Sequence, residues 1–316
     1  MTYNALALVT GLIIGIRWTE YGQYSSSKLI EKTQQNIFYP QDLSTSLFNE
    51  TRVLCLVLKD PSDFGRKQAK VRASWGRQCN KLLFLNKKDN DTFSIVKKGM
   101  GHVFEKYINN YDWFLRADTN TFVIMENLRR FLYQYDAESP LYFGHRLKSD
   151  FKEGYMSGDA GYVLSKGALR LLNLIAFQNN TICGLNLNSS LMPEDKQIAL
   201  CLKNVRVIAG DSRDEKGQER FLPMMPHWMG PGFKRWKNYS KSVYFKPARR
   251  ACCSSSLITF HPANGYVFDL WEFFLHRVRI FGCPQMAPQK LPPRLSFGEM
   301  HAQLGYWSQV VSDNHG

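Results

Sequence analysis

The sequence predicts an α/β domain with a mostly parallel central sheet and flanking helices. Two observations predict it. Short continuous apolar runs recur at residues 53–58 (VLCLVL), 81–85 (KLLFL), 113–115 (WFL) and 141–144 (LYFG), and such runs suit strands buried on both faces of a parallel sheet. Residues 65–78, with Ala69, Val71, Ala73 and Trp75 set among basic side chains, read as a helix between the first two runs. Strand, helix, strand is the opening unit of an α/β domain.

Ahead of that domain, residues 5–16 (ALALVTGLIIGI) form an apolar run closed by Arg17 and Trp18. The run is shorter than the roughly 17–25 residues that span a bilayer comfortably, and no basic residue precedes it. Residues 1–24 therefore read as a membrane anchor or as a cleaved signal peptide, and both stay open. Residues 25–50, polar and containing Pro40, read as a stem without its own core. The folded body is expected over residues 51–283. Residues 284–316, with Pro284, Pro288, Pro292 and Pro293 and no periodic core pattern, are assigned no fold.

The compartment follows from covalent chemistry. N-glycosylation sequons stand at Asn49, Asn90, Asn179, Asn188 and Asn238. The seven Cys residues show no Cys-x-x-Cys metal spacing, which favours disulfides and a secretory-pathway protein. Lys and Arg outnumber Asp and Glu by 41 to 27, a balance that favours an anionic partner such as a nucleotide diphosphate or acidic lipid. Nucleic acid is disfavoured, because zinc-finger spacing, a basic heptad helix and an aromatic RNA-binding signature are all missing.

The candidate site begins where the 113–115 strand runs into Arg116, Ala117, Asp118, Thr119, Asn120 and Thr121. In open parallel sheets ligands bind beyond the carboxyl ends of strands. Two carboxylates at such a point would grip a divalent cation on a diphosphate, and here Asp118 supplies one while Asn120 offers a neutral oxygen. Residues 155–165 (YMSGDAGYVLS) form a small-residue turn between aromatic side chains that enters a helix at 166–176. Pro193, Glu194 and Asp195 open a second helix, in which acidic residues in the first turn suit the helix dipole. Residues 205–208 (VRVI) and a dense polar run at 209–214 follow.

From about residue 52 to residue 282 the sequence resembles the core 1 β1,3-galactosyltransferase family and that family's companion chaperone. The resemblance rests on Arg52-Val53-Leu54-Cys55, Ala73-Ser74-Trp75, Cys79-Asn80-Lys81, Asp112-Trp113-Phe114-Leu115 and Tyr142-Phe143-Gly144, then on residues 154–165, Glu194-Asp195, residues 209–214, Cys252-Cys253-Ser254 and Phe260-His261, in the same order and spacing. It implies a GT-A fold and a single-pass type II Golgi membrane protein with a lumenal transferase domain. It also implies UDP-galactose as donor, manganese as cofactor, and inverting transfer to the 3-hydroxyl of O-linked N-acetylgalactosamine on glycoproteins. By position, Asp118, Asn120 and His261 take the metal-ligand places and Asp195 the catalytic base. Arg72, Trp75, Tyr155, Gly158, Asp159, Tyr162 and Glu194 take the donor and acceptor pocket. The disulfides implied are Cys55 with Cys79 and Cys183 with Cys201. That leaves Cys252, Cys253 and Cys283, one of which could link two chains into a homodimer.

Three departures cluster at the donor side. The family's acidic triplet is here Asp118-Thr119-Asn120, the stretch between Leu85 and Phe104 is short, and Asp159 replaces a glycine. Two functions are therefore expected to compete: a working β1,3-galactosyltransferase, and a noncatalytic relative that is chaperone-like or binds glycoproteins.

Overall fold

A computed structural model of the protein describes residues 40–59, 65–86, 91–179, 181–183, 192–230, 232–245, 252–263, 265–278 and 291–304. The N-terminal apolar run, Asn90, Asn188 and Cys283 lie outside them. The chain divides into two compact units, residues 1–45 with 284–290, and residues 46–283 with 291–316. Of the first, only residues 40–45, the start of a helix, are described. Among the described residues no helix is long and apolar enough to cross a membrane.

The strands in chain order are β1 (Val53–Lys59), β2 (Lys81–Asn86), β3 (Trp113–Asp118), β4 (Phe122–Val123), β5 (Leu141–Gly144), β6 (Arg146–Leu147), β7 (Tyr155–Met156), β8 (Tyr162–Ser165), β9 (Ile208–Ala209), β10 (Phe221–Leu222) and β11 (Thr259–Phe260). The helices are α1 (Pro40–Glu50), α2 (Arg66–Ala73), α3 (Thr92–Tyr107), α4 (Met125–Leu132), α5 (Lys166–Leu171), α6 (Glu194–Asn204), α7 (Lys234–Tyr239) and α8 (Gly265–His276).

The main sheet has the order β2-β1-β3-β8-β5-β9. β1 pairs in parallel with β2 and β3, and β5 with β9, whereas β8 runs antiparallel between β3 and β5. The sheet is thus mixed, with one reversed strand. Successive side chains of β1 serve two cores. Val53, Cys55 and Val57 face one cluster with Trp113 and Leu115, while Leu54, Leu56 and Leu58 face the other with Phe114. This is why the 53–58 run is apolar throughout rather than alternating.

Helix α3 covers the second face. Asp91 caps it by accepting from Ser94 N at 3.0 Å, and Phe93, Val96, Met100 and Val103 recur at helical spacing on its buried side. The 65–78 segment breaks at Ser74 into α2 and a short 3-10 turn, Trp75–Gln78. Three disulfides join Cys55 to Cys79, Cys183 to Cys201 and Cys252 to its neighbour Cys253. The first two pairs match the expectation. The third sets the neighbours Cys252 and Cys253 against each other, and Cys283, the other cysteine left over, lies outside the described residues.

Several expectations need correction. Residues 40–50 of the expected stem form α1, whose Leu47 is buried in the domain. The turn read over 155–165 contains two strands, because Tyr162–Ser165 has partners on both sides in the sheet. The tail also folds in part. Residues 297–304 are helical, and Met300 and Leu304 enter the main core, an anchorage that two apolar residues four apart did not signal among the prolines.

Candidate active site

The site lies at the carboxyl end of β3. Pairing of Leu58 with Asp118 ends β1 and β3 level with one another, and a tight turn follows, closed by Thr121 N to Asp118 O at 3.0 Å. Two flanking loops lock onto this turn. Thr121 Oγ1 donates to Asp159 O at 3.0 Å, and Ala263 N donates to Asn120 O at 2.6 Å.

The organising side chain is one the sequence reading passed over. Arg116 sits within β3, where apolar neighbours suggest a core position, and it is indeed buried. Its guanidinium donates to Gly158 O at 2.8 Å and to Glu194 Oε2 at 2.6 Å, and lies 3.3 Å from Asp118 Oδ1. Burial alone would lower its pKa, but Asp118 and Glu194 outweigh that and raise it. Arg116 stays charged. A lone Arg in a buried strand, with Glu194 opening a later helix, was the available signal.

Glu194 Oε1 accepts in turn from Tyr162 Oη at 2.7 Å. Burial pushes the Glu194 carboxyl up to about 7, against the pull of Arg116 and the Tyr162 hydroxyl. Its neighbour Asp195 is placed by two backbone donors, Gly158 N to Oδ2 at 2.8 Å and Lys196 N to Oδ1 at 2.8 Å. The second is a first-turn contact within α6, so the helix-start reading of Asp195 is correct as far as it goes. The first ties it to the turn after β7. Burial raises its pKa above the ordinary aspartate range, although the two N–H donors and Arg116 pull the other way. Gly158 is close-packed there: a Cβ would stand 3.2 Å from Arg116 Nη1 and 3.4 Å from Asp195 Oδ2.

These groups line a cleft of about 430 Å³, with Arg116, Asp118, Asn120, Gly158, Asp159, Glu194 and Asp195 on its walls together with Leu58, Thr92, Thr119 and Pro193. The structure thus brings together residues 118–120, 158–159 and 194–195, distant segments that the sequence reading placed at one site. His261 stands beside it, its pKa lowered by burial and partly restored by Asp159 and Asp118. Other expected pocket residues stand elsewhere. Trp75 is 1% exposed in the core and offers no face to a ligand. Arg72 lies exposed on α2 with its guanidinium 4.7 Å from the Phe84 ring centroid. Tyr162 is fully buried and acts on the cleft through Glu194. Tyr155 is half-buried behind the wall, near enough for Asp195 and Asp159 to raise its pKa after burial has done so.

The residues do not fit a protein-held manganese. Among the described residues no three His, Cys, Asp or Glu side chains converge to ligate a cation. Asp118 is already ion-paired with Arg116, and Asn120 brings no charge. A hard divalent ion wants several oxygen ligands, with carboxylates among them.

Residues 78–212 match the family described as Fringe-like. The chain is 34% identical over 281 residues to glycoprotein-N-acetylgalactosamine 3-beta-galactosyltransferase 1 of Xenopus laevis, spanning 82% of this chain and 76% of that protein. It is 26% identical over 119 residues to a beta-1,3-glucosyltransferase of Mus musculus, spanning 37% of this chain and 22% of the other. Among solved structures, a mutant Drosophila β1,4-galactosyltransferase 7 in complex with manganese, UDP-Gal and xylobiose aligns at a TM-score of 0.26 and 18% identity, over 39% of this chain and 52% of that one.

Proposed function

The chain belongs to the core 1 β1,3-galactosyltransferase family of GT-A glycosyltransferases, and from that premise we propose that it transfers galactose from UDP-galactose to the 3-hydroxyl of O-linked N-acetylgalactosamine on glycoproteins. The observation that carries the reading is Asp195, a carboxylate fixed by two backbone donors on the wall of the cleft, with a pKa raised by burial. A general base works best when its pKa approaches the operating pH.

In this reading Asp195 takes the proton from the acceptor 3-hydroxyl as its oxygen bonds to the sugar C1. The bond from C1 to the diphosphate breaks on the opposite face, its electron pair leaving with UDP, and the configuration inverts. Arg116 holds the Gly158 carbonyl and Glu194, which keeps the turn carrying the Asp195 donor against the start of α6. The acceptor is assigned to the Tyr155 side of the cleft. Replacing Asp195 with Asn tests this: transfer to an N-acetylgalactosamine glycopeptide should fall by about 100-fold or more while UDP binding persists. Unchanged turnover would remove Asp195 from the role. The paired cysteines and the sequons support a lumenal location, for which we propose the Golgi, with residues 1–24 as the membrane attachment.

A second reading, a noncatalytic protein that binds glycoproteins or a partner transferase, is favoured by the charge of the cleft. Arg116 alone faces Asp118, Asp159, Glu194 and Asp195 among the residues lining it, so the walls do not neutralise a diphosphate. Calorimetric titration of the lumenal body with UDP, with and without manganese, separates the two. Binding of UDP, with or without manganese, supports transfer, and no binding in either condition supports the second reading.

A further inference from the structure

We propose that Asn179 carries an N-linked glycan and that residues 179–181 are the sequon this fold presents for modification. The inference rests on the lumenal location proposed above and is independent of what the cleft does.

Three of the five sequons have both their Asn and their hydroxyl residue among the described residues, those at Asn49, Asn179 and Asn238, and all three Asn side chains are exposed. Their hydroxyl partners differ. Thr51, which completes the first sequon, is 3% exposed, and its N–H donates to Leu47 O at 2.9 Å. Asn238 lies inside α7, and Ser240 is half-buried with its hydroxyl donating to Lys237 O at 3.1 Å. In the folded chain neither of these sequons presents both of its recognition groups. At the third site both Asn179 and Thr181 are exposed.

The third site is also shaped. Asn179 Oδ1 accepts from Thr181 N at 3.0 Å and from Thr181 Oγ1 at 2.6 Å. Both contacts are made to the carboxamide oxygen and use none of the nitrogen's protons. Donors on that oxygen draw charge toward it and make the Nδ2 protons easier to lose. The segment is held at both ends. Gln178 Nε2 donates to Asn173 O at 3.0 Å in the helical turn that follows α5, and Cys183 is bonded to Cys201 of α6.

The modification is a glycosyl transfer from a lipid-linked oligosaccharide diphosphate supplied by the secretory pathway. The bond from the sugar C1 to the diphosphate oxygen breaks and its electron pair leaves with the diphosphate. A bond from C1 to Asn179 Nδ2 forms, and the amide loses one proton. The neighbourhood gives the glycan a physical task. The wide helical turn Leu172–Ala176 sets Leu174 and Ile175 outward, 60% and 46% exposed, one turn before the acceptor. A hydrated glycan there would cover an apolar pair that otherwise faces solvent.

The test is to express the full chain in a secretory eukaryotic host and map its peptides before and after release of N-glycans by an amidase that converts the acceptor Asn to Asp. The expected result is conversion at Asn179. Asn179→Gln and Thr181→Ala should each remove one glycan step in gel mobility, and Thr181→Ser should retain it, which separates loss of the acceptor from misfolding. An unmodified Asn179 peptide from protein that carries glycans at other sequons overturns the inference while leaving the lumenal location standing. Protein unmodified at all five sequons overturns both.

Discussion

The guanidinium of Arg116 lies 2.6 Å from the carboxylate of Glu194, and each side chain is 5% exposed. Residues 78 apart in the chain thus form a buried ion pair that ties the end of β3 to the start of α6. Tyr162 and Gly158 complete it. Asp195 follows Glu194 in the chain and accepts from Gly158 N at 2.8 Å, which places it beside this cluster.

Arg116→Met should leave Glu194 buried without its counter-charge. Breaking one partner of such a pair costs about 3–5 kcal/mol, read as a fall in the urea unfolding midpoint. Adding Glu194→Gln should recover part of the loss, because the uncompensated charge goes with it. Purely additive effects would show that the pair is not a unit.

The dependence of transfer on pH should carry the mark of Asp195. A base works only when unprotonated, and burial raises the Asp195 pKa. The rate constant kcat/KM should therefore fall as pH drops through a value above the ordinary aspartate range, and it should recover as pH rises. Asp195→Asn should abolish that limb of the profile. A profile flat down to the ordinary aspartate range would contradict the assignment.

Asn120→Asp should increase affinity for manganese, measured by titration calorimetry in the presence of UDP. It adds a charged oxygen beside Asp118 at the end of β3, and carboxylate count is a principal determinant of affinity for hard cations. An unchanged affinity would mean that the Asp118–Arg116 ion pair withholds the site.

Replacing Cys55 and Cys79 together with Ala should lower stability by about 3 kcal/mol, the chain-entropy value for a loop of this length. The two lie 24 residues apart and staple β1 to the turn before β2. Chemical unfolding under non-reducing conditions gives the comparison with the parent.

Much of the fold was legible because strand burial is written locally. The 53–58 and 113–115 runs are apolar at every position, and both are strands at the centre of the main sheet. The carboxyl-end rule then located Asp118 and Asn120 at the cleft. Tyr162–Ser165 was read as a turn because glycine and aromatic spacing carry no record of a neighbour on each side. The family resemblance placed Trp75 in the pocket, and its ring lies in the core instead, a difference that a tryptophan at a helix end does not record locally.

The sequence by itself determined the α/β class, the strands that make the sheet, two of the disulfide pairs through family resemblance, and the segments that border the cleft. Only the tertiary structure decided which side chains face it. Arg116 is charged and buried, Tyr162 is withdrawn behind Glu194, and Met300 closes the core from the far end of the chain. Periodicity and turn chemistry are properties of neighbours along the chain. Whether a charge can be buried depends on a partner that only folding brings within hydrogen-bond reach.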